Sequence, residues 1–159
     1  VIYEAALNEY APLGIEAAVT NTATVSGTGI TPVTAAETVN AEAAPNLAIT
    51  KSVSPVPVTE NGTLTYTFRI QNYGSVAATN TTGVVITDTF APVLNNLTAA
   101  LNGTAWTAAT DYTYNETTGT FSSTAGAITV PAATYTQDST TGAWVVTPGE
   151  STLVITGTV

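Results

Sequence analysis

The sequence predicts an all-β domain whose antiparallel strands form a β-sandwich. Short stretches of alternating apolar and polar residues follow one another along the chain, and each ends at Gly, Pro, Asn or Asp. Threonine supplies roughly a fifth of all positions and valine is also abundant, and both residue types favour strands over helices. No stretch shows a sustained helical period. We therefore expect many short strands arranged as packed sheets.

The alternation also gives the approximate position of each strand and turn. Strands are expected near residues 1–7, 18–25, 33–40, 47–53, 62–71, 83–90, 97–101, 111–114, 119–123, 127–130, 143–147 and 151–159. Residues 114–121 and 136–144 each place Asn or Asp ahead of Thr-Thr-Gly and an aromatic residue. This pattern predicts hairpin turns with a positive φ at Gly119 and Gly142. Residues 41–46, which are mostly small and include one proline, predict a short, stiff linker.

The composition excludes several classes of function. The 159 residues include eleven acidic and two basic side chains, for a net charge of −9. Binding to nucleic acid or to an anionic membrane surface is not expected, because both need clustered Lys and Arg. No apolar run approaches the length of a membrane span. Without Cys or His, disulfides, serine triads and the usual zinc sites are also excluded. We therefore expect no enzyme, no cofactor and no metal site.

Four segments carry a further pattern, at residues 47–55, 64–74, 85–90 and 148–159. They resemble the tandem repeats of prokaryotic surface proteins that are catalogued as a domain of unknown function, number eleven. The resemblance covers nearly the whole chain. It implies an immunoglobulin-like β-sandwich of the Greek-key type, located outside the cell, on the cell surface or in a surface appendage.

The order of the segments departs from that family. A segment like residues 19–25 comes last in the family, after the strand that resembles residues 151–159, whereas here it precedes Lys51. The chain is therefore expected to hold one repeat out of phase. Residues 1–44 would complete a preceding or neighbouring repeat, and residues 45–159 would form the main part of the next one. A sandwich that lacks its last strand has an open sheet edge, which is a site for pairing with another copy.

Successive side chains of a strand point to opposite faces of the sheet. This alternation places three polar side chains, Lys51, Asp88 and Asn21, on the face of the predicted core. Each shares a face with apolar residues at alternate positions: Leu47, Ile49 and Val53 for Lys51; Val84, Ile86 and Phe90 for Asp88; Val19, Ala23 and Val25 for Asn21. Arg69 alternates out of phase with its apolar neighbours and is expected in solvent. Burial of a cation, a carboxyl and a carboxamide is unfavourable unless these groups are paired or neutralised.

The resemblance of this constellation to collagen-adhesin-type pilin and adhesin domains implies an isopeptide bond between Lys51 and Asn21, with Asp88 as the proton shuttle. A neutral amine would attack a carboxamide polarised by a protonated Asp88, and ammonia would leave. With the repeat out of phase, each bond would join Lys51 of one copy to Asn21 of the next. Asn72 is the second candidate for the residue that bonds to Lys51, because it lies on the same face of its strand as predicted core residues. Two alternatives remain open, a buried Lys51–Asp88 ion pair and a Lys51 on the surface.

These expectations favour a structural module. The chain is expected to be a repeat unit of an extracellular filament, stalk or surface layer, joined head to tail with identical or similar copies by strand completion. Expressed alone, it is expected to be poorly stable or to oligomerise. The alternative is an adhesive module that binds a host glycan or protein through an aromatic face, although such aromatics more often fill a core. The aromatic residues in question are Trp106, Tyr112, Tyr114 and Trp144.

Overall fold

The computed structural model describes residues 2, 4, 6–11, 14 and 17–159. This part of the chain contains no α-helix, and residues 80–82 form one turn of 3-10 helix. The strands are β1 (Ala18–Gly27), β2 (Ile30–Asn40), β3 (Leu47–Ser54), β4 (Thr63–Asn72), β5 (Thr87–Thr89), β6 (Asn95–Leu101), β7 (Thr104–Ala105), β8 (Tyr112–Asn115), β9 (Thr120–Ser123), β10 (Thr134–Gln137), β11 (Trp144–Thr147) and β12 (Gly149–Thr158). They pair antiparallel, so the predicted all-β class is confirmed.

The larger sheet has five strands in the order β3-β4-β12-β6-β7. The long strand β12 lies between β4 and β6, where Leu153 faces Phe68 on one side and Leu101 on the other. Alternate residues of β12, from Ser151 to Gly157, are buried, because one face of this strand packs against the core. At one end of the sheet, β3 pairs with β4 and is an edge strand.

The smaller sheet has three strands in the order β5-β9-β8, with β5 at its edge. Side chains from both sheets and from the loops between them form one apolar cluster. Its members include Tyr66, Phe68, Ile70, Ile86, Phe90, Leu94, Tyr112, Phe121, Ile128, Val130, Leu153 and Ile155. Full burial of an apolar side chain of this size contributes about 1.5–3 kcal/mol, so this cluster is the main source of stability. The arrangement is consistent with a β-sandwich.

Both predicted hairpin turns are present. Asn115 and Asp138 begin them, and each accepts hydrogen bonds at Oδ1 from the backbone N–H groups two and three residues later. Gly119 and Gly142 end them with φ of 73° and 77°, a conformation that glycine adopts without strain. The hydrogen bonds that Asp138 accepts from these two backbone N–H groups also lower its pKa, because they stabilise the carboxylate.

Several strand predictions were wrong in position or extent. Residues 127–130 were expected as a strand, but only Val130 makes a bridge, to Ala78, and Pro131 follows without an N–H to donate. The strand predicted at 83–90 shortens to β5, because the N–H of Ile86 donates to the side-chain hydroxyl of Ser123 in β9 and not to a backbone carbonyl. Strands β7 and β10 were not predicted.

The strand expected near residues 1–7 falls partly on Val1, Tyr3 and Ala5, which lie outside the described residues. The described positions of that segment, residues 2, 4, 6 and 7, are not in a strand.

Strands β1 and β2 form a separate two-stranded hairpin. Its register places Val19 opposite Val39 and Val25 opposite Val33, so apolar side chains gather on one face. Val25, Val33 and Val39 are 66–67% exposed, so this face is not packed against the core of its own chain. The hairpin therefore presents an uncovered apolar face.

Residues 41–46 join the hairpin to β3 and are held by the buried carboxamide of Asn72. Asn72 Oδ1 accepts from the N–H groups of Asn46 and Gly74, at 2.9 Å each. Its Nδ2 donates to the carbonyls of Val76 at 2.8 Å and Pro131 at 2.9 Å. Gly74 lies so close to the linker that a Cβ there would be 2.1 Å from the carbonyl oxygen of residue 44, so no other residue type fits. We call Asn72, Gly74 and residues 44–46 the linker clamp.

We predict that Asn72→Ala lowers the free energy of unfolding by about 3 kcal/mol, because it leaves buried backbone groups without partners. Asn80→Ala is the matched control, since Asn80 is exposed and a surface substitution of this kind changes stability by less than about 0.5 kcal/mol. Chemical denaturation of the two variants provides the measurement. Equal stability of both variants would contradict the role assigned to the linker clamp.

Candidate functional site

The candidate site lies where the two sheets meet at their edges. β3 is an edge strand of the larger sheet and β5 is an edge strand of the smaller one. All eight residues of β3 are exposed, including the apolar Leu47, Ile49 and Val53, of which Ile49 is 53% exposed. We call the opening between β3 and residues 84–90 the seam. It is an apolar surface bordered by two strand edges.

Lys51 lies in the middle of β3, opposite Phe68 of β4. Its Nζ lies 4.8 Å from the ring centroid of Tyr66, 5.4 Å from that of Phe68 and 5.2 Å from that of Phe90. A cation in contact with aromatic faces gains about 0.5–1 kcal/mol for each favourable contact at an exposed site. The side chain thus points toward the aromatic core, as parity predicted, but it is 40% exposed because no strand covers it.

Asp88 faces Lys51 from the other sheet. It lies in β5, opposite Phe121, and its side chain is 19% exposed. The Nζ of Lys51 donates to Asp88 Oδ2 in an ion pair that spans the seam. Asp88 Oδ1 accepts from the N–H of Thr89 at 2.9 Å. The structure therefore brings together an amine and a carboxyl, the two groups that the cross-link hypothesis and the ion-pair alternative share.

Two clefts lie beside this ion pair, and the smaller one is mainly apolar. One, of about 180 Å³, is lined by Ile49, Ile70 and Ile86 together with Leu47, Ala48, Val84 and Val85. The other, of about 360 Å³, contains Lys51 itself and is lined by Val53, Tyr66 and Phe90 among others. Both clefts are lined by residues of β3 and of the segment that faces it, with the polar pair beside them. This arrangement fits an extended segment that is apolar except at one central position.

Asn21 lies in β1, away from Lys51. It faces Glu37 across the hairpin, with Val19 and Ala23 on either side of it on the same face. No described hydrogen bond joins Asn21 to Lys51 or Asp88. The cross-link therefore stays a prediction, and within a single copy the three predicted residues are divided between the hairpin and the seam.

The structure places Asn72 with the linker and not with Lys51. Asn72 faces Leu47 at the far end of β3, and both polar atoms of its carboxamide already take part in the linker clamp. Arg69 is exposed, as predicted, and pairs with Glu150. The hydrogen bond from Arg69 lowers the pKa of the Glu150 carboxyl.

Three of the four aromatic residues considered for a sugar-binding face take part in the packing of the core. Tyr112 is 5% exposed, and burial raises the pKa of its hydroxyl, which donates to the carbonyl of Leu97. Tyr114 and Trp106 pack against the core cluster, and the hydroxyl of Tyr114 donates to the carbonyl of Leu94. Trp144 is half-buried in β11. The contacts of Tyr112, Tyr114 and Trp106 are those of core aromatics, which the sequence already favoured over a binding face.

One residue of interest was missed from the sequence. Glu37 shares its face of β2 with Val33, Ala35 and Val39, and it lies directly opposite Asn21. It is the single charged residue between positions 18 and 40. Its parity within β2 was readable from the sequence, but its position opposite Asn21 depends on the register of the hairpin, which shifts near Gly27.

In the described part of the chain, no group of three or more Asp or Glu side chains is arranged to hold a metal ion. No helix in that same part is long and apolar enough to span a membrane. The chain matches no protein-family model, no curated protein and no solved structure.

We predict that Lys51→Met changes the free energy of unfolding of the monomeric chain by less than about 1 kcal/mol. A partly exposed ion pair contributes little, and Met keeps the aliphatic contact with the aromatic rings. Ile155→Ala, in the buried core, is the reference and is expected to cost about 2–5 kcal/mol. Urea denaturation at low protein concentration measures both. A cost above about 2 kcal/mol for Lys51→Met would identify the ion pair as a structural element of the monomer.

Proposed function

We propose that this chain is a structural repeat unit of an extracellular filament, stalk or surface layer. In this proposal, the hairpin β1–β2 of one copy completes the seam of the next copy, and a Lys51–Asn21 isopeptide bond joins them. The observation that carries the proposal is the presence, on one chain, of an uncovered apolar hairpin and an uncovered apolar seam, each with a polar group at its centre.

The strand order supports an immunoglobulin-like, Greek-key fold. β12 lies between β4 and β6, neither of which is next to it in sequence. Of the intervening strands, β5, β8 and β9 form the smaller sheet, whereas β10 and β11 pair as a separate two-stranded hairpin. Crossovers of this kind characterise Greek-key sandwiches. In such a fold, a strand beside β3 or β5 would cover the seam.

The patterns of the two surfaces agree position by position. On β3, Lys51 has Ile49 and Val53 at two residues' distance, and on β1, Asn21 has Val19 and Ala23 at the same spacing. If β1 pairs with the free edge of β3 so that Asn21 faces Lys51, the flanking residues on both strands are apolar. Strand addition then satisfies the open backbone groups of β3 and buries both apolar surfaces.

A second copy is the partner favoured for this seam. The hairpin of the same chain leaves the seam uncovered, and the linker clamp fixes the segment that connects them. Asn21 on the hairpin and the Lys51–Asp88 pair in the seam give each surface one central polar position among apolar residues. Matching of these polar positions specifies the register in which the two surfaces pair.

The cross-link is an amide exchange without oxidation or reduction. Asp88 takes a proton from the Lys51 ammonium, and the neutral Nζ attacks Asn21 Cγ. The Nζ–Cγ bond forms, the Cγ–Nδ2 bond breaks, and the nitrogen leaves as ammonia. The aromatic rings around Nζ and the docked hairpin exclude water, which favours the neutral amine needed for attack. If the copies are separate subunits, this reaction would join them covalently, and if they belong to one polypeptide it would staple successive domains.

We predict that the concentrated full-length chain forms a ladder of multimers that survives boiling in detergent. Each bond should lower the mass by one ammonia, and a tandem mass spectrum should identify Lys51 linked to Asn21. Lys51→Arg, Asn21→Ala and Asp88→Ala should each remove the ladder. Unchanged masses in native multimers would remove the cross-link and leave the Lys51–Asp88 ion pair.

We predict that two variants, each altered on one of the two docking surfaces, show that the hairpin and the seam bind each other. Ala23→Glu places a charge on the hairpin face and Ile49→Glu places one in the seam, and burial of either charge opposes assembly. Each variant alone should remain monomeric, whereas their mixture should form dimers that grow no further, because one intact hairpin meets one intact seam. Light scattering gives the masses. Assembly of either variant alone to the extent of the unaltered chain would contradict the proposed interface.

A further inference from the structure

Glu37 is placed where the proposed cross-link needs a second acid, and this inference rests on the proposed function. Asn21 and Glu37 are directly opposite each other in the antiparallel hairpin. Directly opposed residues on one face have Cβ atoms about 4.5–5.5 Å apart, within reach of a Glu side chain. Whatever brings Asn21 to Lys51 therefore also brings a carboxyl beside the carboxamide.

Glu37 is exposed in a single copy, but docking would make its location unfavourable for any role that leaves it ionised. Its face of the hairpin is otherwise apolar, apart from Asn21, and docking would remove that face from water. A buried carboxylate is costly unless it is paired. The chain has two cationic side chains, and Arg69 is exposed and paired with Glu150. We call the hairpin of one copy docked on the seam of the next copy the joint. The charged or titratable groups that would face Glu37 in the joint are Lys51 on β3, Asp88 on β5 and Tyr66 on β4.

Formation of the amide makes an ionised Glu37 in the joint still less favourable. Lys51 is the cation of the seam, and it loses its charge when Nζ becomes an amide nitrogen. Asp88 and Glu37 would then share a water-poor joint without a cation. Both carboxyls can remain there only if they are neutral or share a proton.

We propose that Glu37 is the general acid of the cross-linking reaction, entering the joint protonated and donating its proton to the departing nitrogen of Asn21. Asp88, on the other side of the carboxamide, is the base that deprotonates Lys51. One copy thus supplies the amine and the base, and the next copy supplies the carboxamide and the acid. A complete site exists only when two copies meet, which confines the reaction to the assembled joint.

The protons balance in this scheme. The Lys51 ammonium gives one proton to Asp88, and Nζ attacks Cγ. Glu37 protonates Nδ2, the Cγ–Nδ2 bond breaks and NH3 leaves. The surplus proton on the new amide nitrogen passes to the Glu37 carboxylate. The products are a neutral amide, ammonia, and two neutral carboxyl groups at Asp88 and Glu37, so no net charge remains in the joint.

The test compares the full-length chain with its Glu37→Gln, Glu37→Asp and Glu42→Gln variants. Glu42 is an exposed acid just outside the hairpin, so its variant controls for loss of one negative charge. Native light scattering follows docking, and denaturing gels follow the growth of the covalent ladder at neutral and mildly acidic pH. The two readouts separate assembly from chemistry.

We expect Glu37→Gln to assemble at least as well as the unaltered chain, since it removes a buried acid, and to cross-link at least ~10-fold more slowly. The unaltered chain should cross-link faster in mild acid, where Glu37 enters protonated, and Glu37→Gln should lose this acceleration. Glu37→Asp should recover part of the rate, and Glu42→Gln should match the unaltered chain in rate and pH profile.

Three outcomes would overturn the proposal. A Glu37→Gln ladder with unaltered rate and pH profile would remove Glu37 from the chemistry and leave the proposed function intact. Failure of Glu37→Gln to assemble would assign Glu37 to docking instead of proton transfer. Absence of any ladder from the unaltered chain, at either pH, would refute the proposed cross-link and the role of Glu37 with it.

Discussion

The contact between Lys51 and Asp88 crosses a side of the domain where no described strand joins the two sheets. β3 and β5 are the edges of their sheets, and this ion pair connects them. The exposure of Leu47, Ile49 and Val53 follows from the same missing neighbour. Elsewhere the sheets enclose a dense apolar interior, in which Leu153 and Ile155 are 0% exposed. The interior of the domain is thus well packed, whereas apolar side chains are exposed along the seam.

Positive charge is scarce in this chain, so the position of Lys51 is informative. A chain with a net charge of −9 has two cations, and one of them lies among three aromatic rings at the seam. Surface lysines usually extend into water, where they aid solubility, whereas Lys51 points toward the core and is held by a carboxyl. Its contribution to the stability of one copy is small at this exposure. A role in joining copies explains its position better than a role in folding.

The sequence was most informative where the period-two rule applies without interruption. The alternation of side chains along β3 and β5 correctly placed Lys51 toward the aromatic rings and Asp88 opposite it. The Asn or Asp before Thr-Thr-Gly correctly identified the turns that end at Gly119 and Gly142. It failed at residues 127–130, whose apolar pattern reflects burial of Ile128 and Val130 without a strand ladder. Local alternation reports which side chains are buried, but hydrogen-bond partners depend on distant segments.

The same limit explains what the sequence could not give about the site. Asn72 has the parity of a core residue, yet its carboxamide holds backbone groups from three separate segments. Those partners, from residue 46 to residue 131, meet only after the chain has folded. The pairing of Asn21 with Glu37 likewise depends on a register shift in one turn. Each of these contacts depends on tertiary structure, so the sequence of a single strand does not predict it.

The linker clamp has a consequence for any assembly of these units. A hairpin joined to its domain through a free linker would allow successive units to pivot, and the assembly would behave as a string of beads. Here Asn72 and the close approach at Gly74 fix the backbone at the point where the hairpin leaves the domain. Each joint would then repeat one rotation and one rise. Repetition of a fixed rotation generates a helix, so the pitch and bending stiffness of the fibre would be set by the few hydrogen bonds around a single buried asparagine.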